Sequence, residues 1–355
     1  MLILGIESSC DETAAAVVES GALVRSSVVA SQTALHEEYA GVVPEIASRA
    51  HVEQILPVIR EALAQAGVGL GMIDAIAVGN RPGLIGCLLV GVAAAKALSW
   101  SLNKPLIAVD HVAAHLYSGL LVEGDAPHHP HASRHSHVFP ALGLVVSGGH
   151  TSLYHLESWT MSRRLGSTID DAIGEAFDKA AAILGLSYPG GPNIDRLARS
   201  PGANEAFHAF PISRLSPDSL DFSFSGLKTA MLYATKGVPG ERGAPAPPLT
   251  EDRKRDLAAS FQHAAVKAII LKLSRAIAVT PGMRTLLTGG GVTANSHLRL
   301  KLAELASHHG LELSLPAMKF CVDNAAMVAG LGYHLHAAGK VASLDLQAVP
   351  TTGMA

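Results

Sequence analysis

The spacing of apolar residues divides the chain into short strands and amphipathic helices. Residues 2–6 and 14–18 alternate as strands about the polar turn Ser8-Ser9-Cys10-Asp11-Glu12-Thr13, and a further strand lies near 24–30, so residues 1–30 predict a hairpin and its neighbour. Over 45–66, Ile46, Val52, Ile55, Leu56, Ile59 and Leu63 recur near helical spacing. A short buried strand over 73–78, a helix rich in small residues over 86–102 and a strand over 105–109 follow. Later, strands at 141–146 and 151–156 flank Ser147-Gly148-Gly149-His150, and helices are predicted over 170–184 and 251–279. The longer helix repeats Leu257, Phe261, Ala265, Ile269 and Leu273 on one face. A strand over 285–288 then runs into Gly289-Gly290-Gly291 and a helix. Two stretches break the pattern: the histidine-rich 123–138, read as an exposed inserted loop, and the proline-rich 236–250. Strand pairs joined by small turns thus recur early and mid-chain, each followed by helices. The economical architecture is α/β, with two β-rich lobes around a cleft.

Composition narrows the class. Apolar residues make up 48% of the 355 and charged residues 16%, which suits buried strands and argues against a disordered chain. No apolar run approaches the roughly 18 residues of a membrane helix, and the start of the chain carries no basic leader, so neither a membrane span nor a signal peptide is expected. Cys10, Cys87 and Cys321 lie far apart with no CxxC spacing, which disfavours disulfides and points to a reducing, cytoplasmic setting. The net charge of −3 requires any nucleic-acid partner to be held by a local basic patch. Arg253, Lys254 and Arg255, with Arg196, Arg199 and Lys228, are the candidates, although for 253–255 a solvated helix face is the better reading.

Three features could carry chemistry. In Asp110-His111-Val112-Ala113-Ala114-His115 the histidines stand four apart, so on a helix both imidazoles reach one metal. A zinc-protease helix would place a glutamate base where Val112 stands. Asp323, between a short apolar stretch and a small-residue helix, is the candidate third ligand. Its plain alternative is an N-cap. Two imidazoles and a carboxylate leave positions open on Fe(2+) or Zn(2+). The glycine turns at 147–149 and 289–291 let backbone amides approach a phosphate, the second as it opens a helix, but tight turns need glycine anyway. For the acids Asp170, Asp171, Glu175, Asp178 and Asp195, binding of ribose hydroxyls or a substrate ammonium and a plain role as helix-start or surface charge are equally good readings.

The motifs then add up. Gly-Ile-Glu-Ser-Ser-Cys-Asp-Glu-Thr (5–13), Gly-Val-Val-Pro-Glu-Ile-Ala-Ser-Arg-Ala-His (41–51), the His111/His115 pair, Val-Ser-Gly-Gly-His-Thr (146–151) and Asp-Asp-Ala-Ile-Gly-Glu-Ala-Phe-Asp-Lys (170–179) occur in order. Tyr-Pro-Gly-Gly-Pro (188–192), Phe-Ser-Phe-Ser-Gly-Leu-Lys-Thr (222–229), Gly-Gly-Gly-Val-Thr-Ala-Asn (289–295) and Asp-Asn-Ala-Ala-Met (323–327) complete the series. Over roughly residues 1–335 the chain resembles the TsaD family, once described as O-sialoglycoprotein endopeptidases.

The resemblance implies a two-lobed actin/sugar-kinase/heat-shock-chaperone (ASKHA) fold with a nucleotide cleft. The expected division is 1–110 with about 320–355 in one lobe and 111–319 in the other. It implies transfer of threonylcarbamoyl from threonylcarbamoyl-AMP to N6 of adenosine at tRNA position 37, with ATP- or ADP-like ligands also accommodated. By motif, His111, His115 and Asp323 would hold one divalent metal, Fe(2+) before Zn(2+). Val145, Val146, Ser147, Gly148, Gly149, Asp178, Gly191, Asp195 and Asn295 would hold the adenylate, with Asp11 and Glu12 near the reacting centre. The implied partners are tRNA and TsaB-like and TsaE-like proteins, with no membrane. The rivals are a metallo-endopeptidase and an ATP-binding chaperone-like module. Three departures from the family pattern stand out: Gly79-Asn80-Arg81-Pro82-Gly83-Leu84 in place of Thr-x-Gly-Pro-Gly-Leu, Asp110 as an added carboxylate behind the first ligand, and the 123–138 insertion.

Overall fold

A computed structural model describes residues 1–39, 41–124, 137–213, 215–216, 218–237 and 247–354. Residues 125–136 of the histidine-rich insertion, and Pro239 and Pro245 of the proline-rich stretch, lie outside the described residues.

The chain forms two mixed sheets. The first comprises β1 (Leu2–Glu7), β2 (Glu12–Glu19), β3 (Leu23–Ser31), β4 (Ala75–Arg81), β5 (Leu106–Asp110) and the short β6 (Val122–Glu123), in the order β5-β4-β1-β2-β3-β6. The second comprises β7 (Ala141–Val146), β8 (Thr151–Ser158), β9 (Met161–Ser167), β10 (Thr285–Gly289) and β11 (Glu312–Ser314), in the order β11-β10-β7-β8-β9. In each, three strands form an antiparallel meander, and two parallel strands join the open side of its first strand. The repetition inferred from strand pairs is therefore visible as one topology used twice.

Helices α1 (Thr33–His36), α2 (Pro44–Ala66), α3 (Ile85–Leu102) and α4 (His111–Tyr117) come from the first half of the chain. The second half contributes α5 (Ile173–Ile183), α6 (Gly190–Ala198), α7 (Ser225–Lys236), α8 (Glu251–Val279), α9 (Ser296–His309) and α10 (Ala325–Ala337). Helices α2 and α3 bury Ile55, Ile59, Leu63, Val92 and Ala95 against Leu4, Ile6, Val17 and Val78 of the first sheet. Its other face receives α10, whose small residues let the backbones close in. A Cβ on Gly5 would strike the Ala325 carbonyl, which only glycine avoids. Helices α5 to α9 supply the larger core on the second sheet, around Phe177, Phe224, Phe261, Leu286 and Leu298. The seven-residue α4 lies between, packing Val112 and Leu116 on Val145 and Leu287 while contacting α10 and β5.

Several expectations need correcting. The face of α2 is offset: Val52 and Leu56 are exposed, while Ala47, His51 and Val58 join Ile55, Ile59 and Leu63 inside. Strand β9 is not predicted by the pattern, because Met-Ser-Arg-Arg-Leu-Gly-Ser, at a sheet edge with only Gly166 buried, lacks an apolar period. Helix α5 starts at Ile173, not at 170. The stated absence of a run near membrane length also fails: α3 has 18 residues with a mean hydropathy of 1.7, enough to cross a membrane by length and composition. Its alanines and glycines serve close packing instead, with Cys87, Leu88, Gly91, Val92, Ala95 and Ser99 buried against the sheet and α2.

Candidate active site

Helix α4 begins at the end of β5, where Asp110 turns the chain: its Oδ1 accepts from the Val112 and Ala113 amides at 2.9 and 3.2 Å. One helical turn then sets the His111 and His115 rings edge to face, with centroids 4.6 Å apart. Asp323 arrives from the segment before α10. The N-cap of that helix is Asn324, whose Oδ1 accepts from the Met327 amide at 3.0 Å, so the capping alternative for Asp323 falls away. Asp323 Oδ1 lies 3.1 Å from His115 Nε2 and 3.5 Å from His111 Nε2.

These residues suit a divalent cation. Both nitrogens of the His115 ring are buried without a hydrogen-bond partner, although Nε2 is near Asp323, because the approach lacks hydrogen-bond geometry. A lone pair so placed fits a shared metal ion. Burial, and then the neighbouring His111, hold the His115 imidazole below its ordinary pKa, in the neutral form a metal needs. At His111 burial opposes protonation, but Asp323 and Glu7 outweigh it and raise the imidazole well above its ordinary range. Without metal, the cluster thus keeps a proton among its carboxylates.

Behind His111, Glu7 Oε2 is 3.1 Å from Nδ1 and Ser9 Oγ 3.2 Å, while Glu7 Oε1 accepts from the Ser9 amide at 2.7 Å. Glu7, fully buried, is the carboxylate that fixes the His111 ring. The expectation that Asp110 does so is corrected, since its other oxygen accepts from Thr352 Oγ1 and the Gly353 amide at 2.8 and 2.7 Å. Arg81 pairs with Asp110 across β4 and β5 and flanks Gly353, so two departures from the family pattern meet under the C-terminal segment. The third altered position, Gly79, leaves room for Glu7: a Cβ there would come 2.5 Å from Oε2.

Asp11 and Glu12 lie where the β1–β2 turn enters β2. Burial, the charge of Asp323 and the adjacent Asp11 push the Glu12 carboxyl up to about 10, so at neutral pH Glu12 carries a proton. Two residues beyond the expected set belong here. His150 is pushed down to about 4 by burial and by His111 and His115. Tyr188 is pushed up to about 12 by burial and by Asp11 and Asp178. Both stand inside recognised motifs, and the only further signal was their type, an imidazole and a phenol beside glycine turns.

The glycine turns divide by function. Val145 and Val146 are buried strand residues, and Ser147 closes the turn, accepting the His150 amide on Oγ at 3.1 Å. Side chains added at Gly148 or Gly149 would meet nothing within 4 Å, so the space beside that turn is open. Gly289 instead packs on the His115 carbonyl and Gly290 on that of Val146. The triple glycine leads into a 3-10 turn, Gly291–Ala294, and α9 begins only at Ser296, contrary to the expected direct opening of a helix.

Asp178 Oδ1 accepts from the Gly190 amide at 2.7 Å, and Gly191 has only the Phe177 Cβ within 4.0 Å of an added Cβ. Asp195 accepts from Ser296 Oγ at 2.7 Å and pairs with Arg199 at 3.3 Å. Asn295 caps α9 through the Leu298 amide and donates to Gln262 Oε1 at 2.7 Å. Asp178, Gly191, Asp195 and Asn295 thus sit where α5, α6, α8 and α9 are tied together, while Val145 to Gly149 lie at the end of β7. Asp170 and Asp171 have other tasks: Asp170 binds Ser223, Ser225 and the Phe224 amide, and Asp171 binds Lys179 at 2.7 Å. Among the basic residues, Lys254 and Arg255 pair with Glu251 and Asp252 on their own helix, and Arg253 donates to the Ala234 carbonyl.

Residues 23–330 match the TsaD family model, described as tRNA N6-adenosine threonylcarbamoyltransferase. The chain is 49% identical over 354 residues to the protein of that name from Symbiobacterium thermophilum, covering 99% of this chain and 97% of the relative. It is 47% identical over 351 residues to that from Moorella thermoacetica, covering 98% and 96%. Among solved structures, HypF of T. kodakarensis aligns with a TM-score of 0.59 at 15% identity, covering 97% of this chain and 49% of that one. The (R)-2-hydroxyglutaryl-CoA dehydratase component A of Acidaminococcus fermentans aligns at 0.50 with 13% identity, covering 95% and 99%. These place the two-sheet fold in the ASKHA class. The chain belongs to the TsaD family, the tRNA N6-adenosine threonylcarbamoyltransferases.

Proposed function

We propose that this enzyme transfers threonylcarbamoyl from threonylcarbamoyl-AMP to N6 of the adenosine at tRNA position 37, with His111, His115 and Asp323 holding one divalent metal. The observation that carries the reading is the buried His115 ring, unpartnered beside Asp323. Fe(2+) is the proposed ion and Zn(2+) the second choice, since two imidazoles and one carboxylate suit both. When bound, the metal supplies a Lewis acid for charge on the carbamoyl or phosphate oxygens.

The chain's own residues do the rest. Gly148 and Gly149 leave backbone free to approach the phosphate, and Asp178, Gly191, Asp195 and Asn295 line the region proposed for the adenylate. Attack of N6 on the carbamoyl carbon forms the N–C bond, breaks the bond to the phosphate oxygen, releases AMP and sheds one proton from N6. Asp11 and Glu12, at the turn into β2, are the proposed acceptors of that proton. Glu7 and Ser9 fix the His111 ring. The peptidase alternative lacks its usual helix glutamate, because Val112 stands at that place and is fully buried.

A two-lobed division at about 110/111 and 319/320, a cytoplasmic setting and docking of TsaB-like and TsaE-like partners complete the proposal. Exposed Val52, Leu56, Ile85, Leu89 and Trp100 on α2 and α3 offer an apolar surface for the TsaB-like protein. The test is mass spectrometry of tRNA nucleosides from cells depleted of this protein. Loss of N6-threonylcarbamoyladenosine, restored by the parent but not by His111→Ala/His115→Ala, is the expected result. Restoration by that variant would overturn the metal assignment.

A further inference from the structure

Beside the region proposed for the adenylate, α8, α9 and the loop after α6 bring a second set of metal-ligating side chains together. His263 projects from α8, His297 from the first turn of α9 and Glu205 from the loop after α6, with one donor atom of each within 4.8 Å of the others. Glu205 Oε2 is 3.3 Å from His263 Nδ1, and the two rings lie 5.9 Å apart at 52°. His263 Nδ1 is a buried atom without a hydrogen-bond partner despite the nearby carboxylate. At His115 both ring nitrogens are so placed, whereas the His263 side chain is 34% exposed and buries Nδ1 alone.

The three elements are fixed to one another independently of any ion. Ser260 Oγ donates to the Asn204 carbonyl at 3.2 Å and accepts from the His208 amide at 3.1 Å, and Asp256 Oδ1 accepts from the Asn204 amide at 3.1 Å. The loop carrying Glu205 is thereby held along α8 on both sides of that residue. On the opposite side the Asn295–Gln262 bond of 2.7 Å locks the start of α9 to α8, each partner one or two residues from a histidine of the set. Backbones held in this way present the ligands without a large ordering cost. Two imidazoles with one carboxylate select a borderline cation such as Zn(2+) over Mg(2+) or Ca(2+), which prefer all-oxygen shells. Lys301 and Glu304, the other charged groups acting on His297, are of opposite sign and leave the set's charge to Glu205.

We infer that Glu205, His263 and His297 form a second divalent-metal site, of the zinc class, that clasps α8 to α9. Its role is to brace these helices and not to touch the reacting groups.

The test uses the full chain in the His111→Ala/His115→Ala background, which removes the first site while keeping the histidine-rich segment in every sample. Chelator-stripped protein is loaded with zinc chloride, desalted and analysed by mass spectrometry for metal. The expected result is one zinc per chain more than in the same protein carrying His263→Ala/His297→Ala. Zinc should also raise the melting temperature by a few degrees only when both histidines are present. Equal zinc content and an equal thermal response would overturn the site. If the double substitution fails to fold, the exposed Glu205→Gln decides: zinc affinity at least about tenfold weaker supports the site, and unchanged affinity refutes it.

Discussion

At the scale of single residues, the proposed metal site depends on a carboxylate behind His111. Glu7 is the last residue of β1, an apolar strand, and only its burial beside His111 reveals its task. Glu7→Gln keeps the shape but loses the charge that orients His111, so iron or zinc affinity should fall about 10- to 100-fold, measured by competition with a chelator. Glu12 gives a prediction with a definite sign. Its folded carboxyl titrates near 10 in the metal-free protein, above the ordinary carboxyl range. Below that range both folded and unfolded chains carry the proton, and Glu12→Gln should melt like the parent. As pH rises toward 10 the unfolded chain ionises and the folded one does not, so the parent loses stability that the glutamine variant keeps. Melting curves at pH 4 and pH 8 on metal-free protein test this, and equal differences at both would refute the buried proton.

At the scale of elements, the two glycine turns predict opposite consequences for equally small changes. Gly149→Val adds a side chain into open space, so the fold should survive while adenylate or ATP affinity drops sharply, as calorimetry would record. Gly289→Ala presses on the His115 carbonyl and should cost roughly 1–3 kcal/mol of stability, with weakened metal retention because α4 must move. Retained metal and stability in that variant would contradict the packing account. The turns also show what the linear pattern can reveal. Gly148 and Gly289 look alike in sequence, because what distinguishes them is the presence or absence of a neighbour from a distant segment. Helix α8 could be read to its ends, since Thr250 caps it and its apolar face repeats over many turns. The offset face of α2 could not, because Val52 and Leu56 are apolar yet lie outside. That His111, His115 and Asp323 come together was legible from helical spacing and the resemblance. Glu7, His150 and Tyr188 were not, because their roles come from burial and nearby charge.

At the scale of the whole molecule, electrostatics limit how tRNA can be held. The net charge is −3, and Lys254 and Arg255 are already paired along α8. The isolated chain should therefore bind tRNA weakly and lose that binding as salt rises, gaining affinity and turnover only with partners present. Filter binding across a salt series checks this, and tight binding by the chain alone would refute it.

The arrangement of α10 and Asp323 has a consequence for synthesis. Both imidazoles emerge from the ribosome long before Asp323, and β1 and β2 wait longer still for the helix that covers them. The nascent chain thus carries an incomplete metal set and an uncovered sheet for most of its translation time. Chaperone occupancy should be greatest in that interval, and metal should enter only after Asp323 has left the exit tunnel.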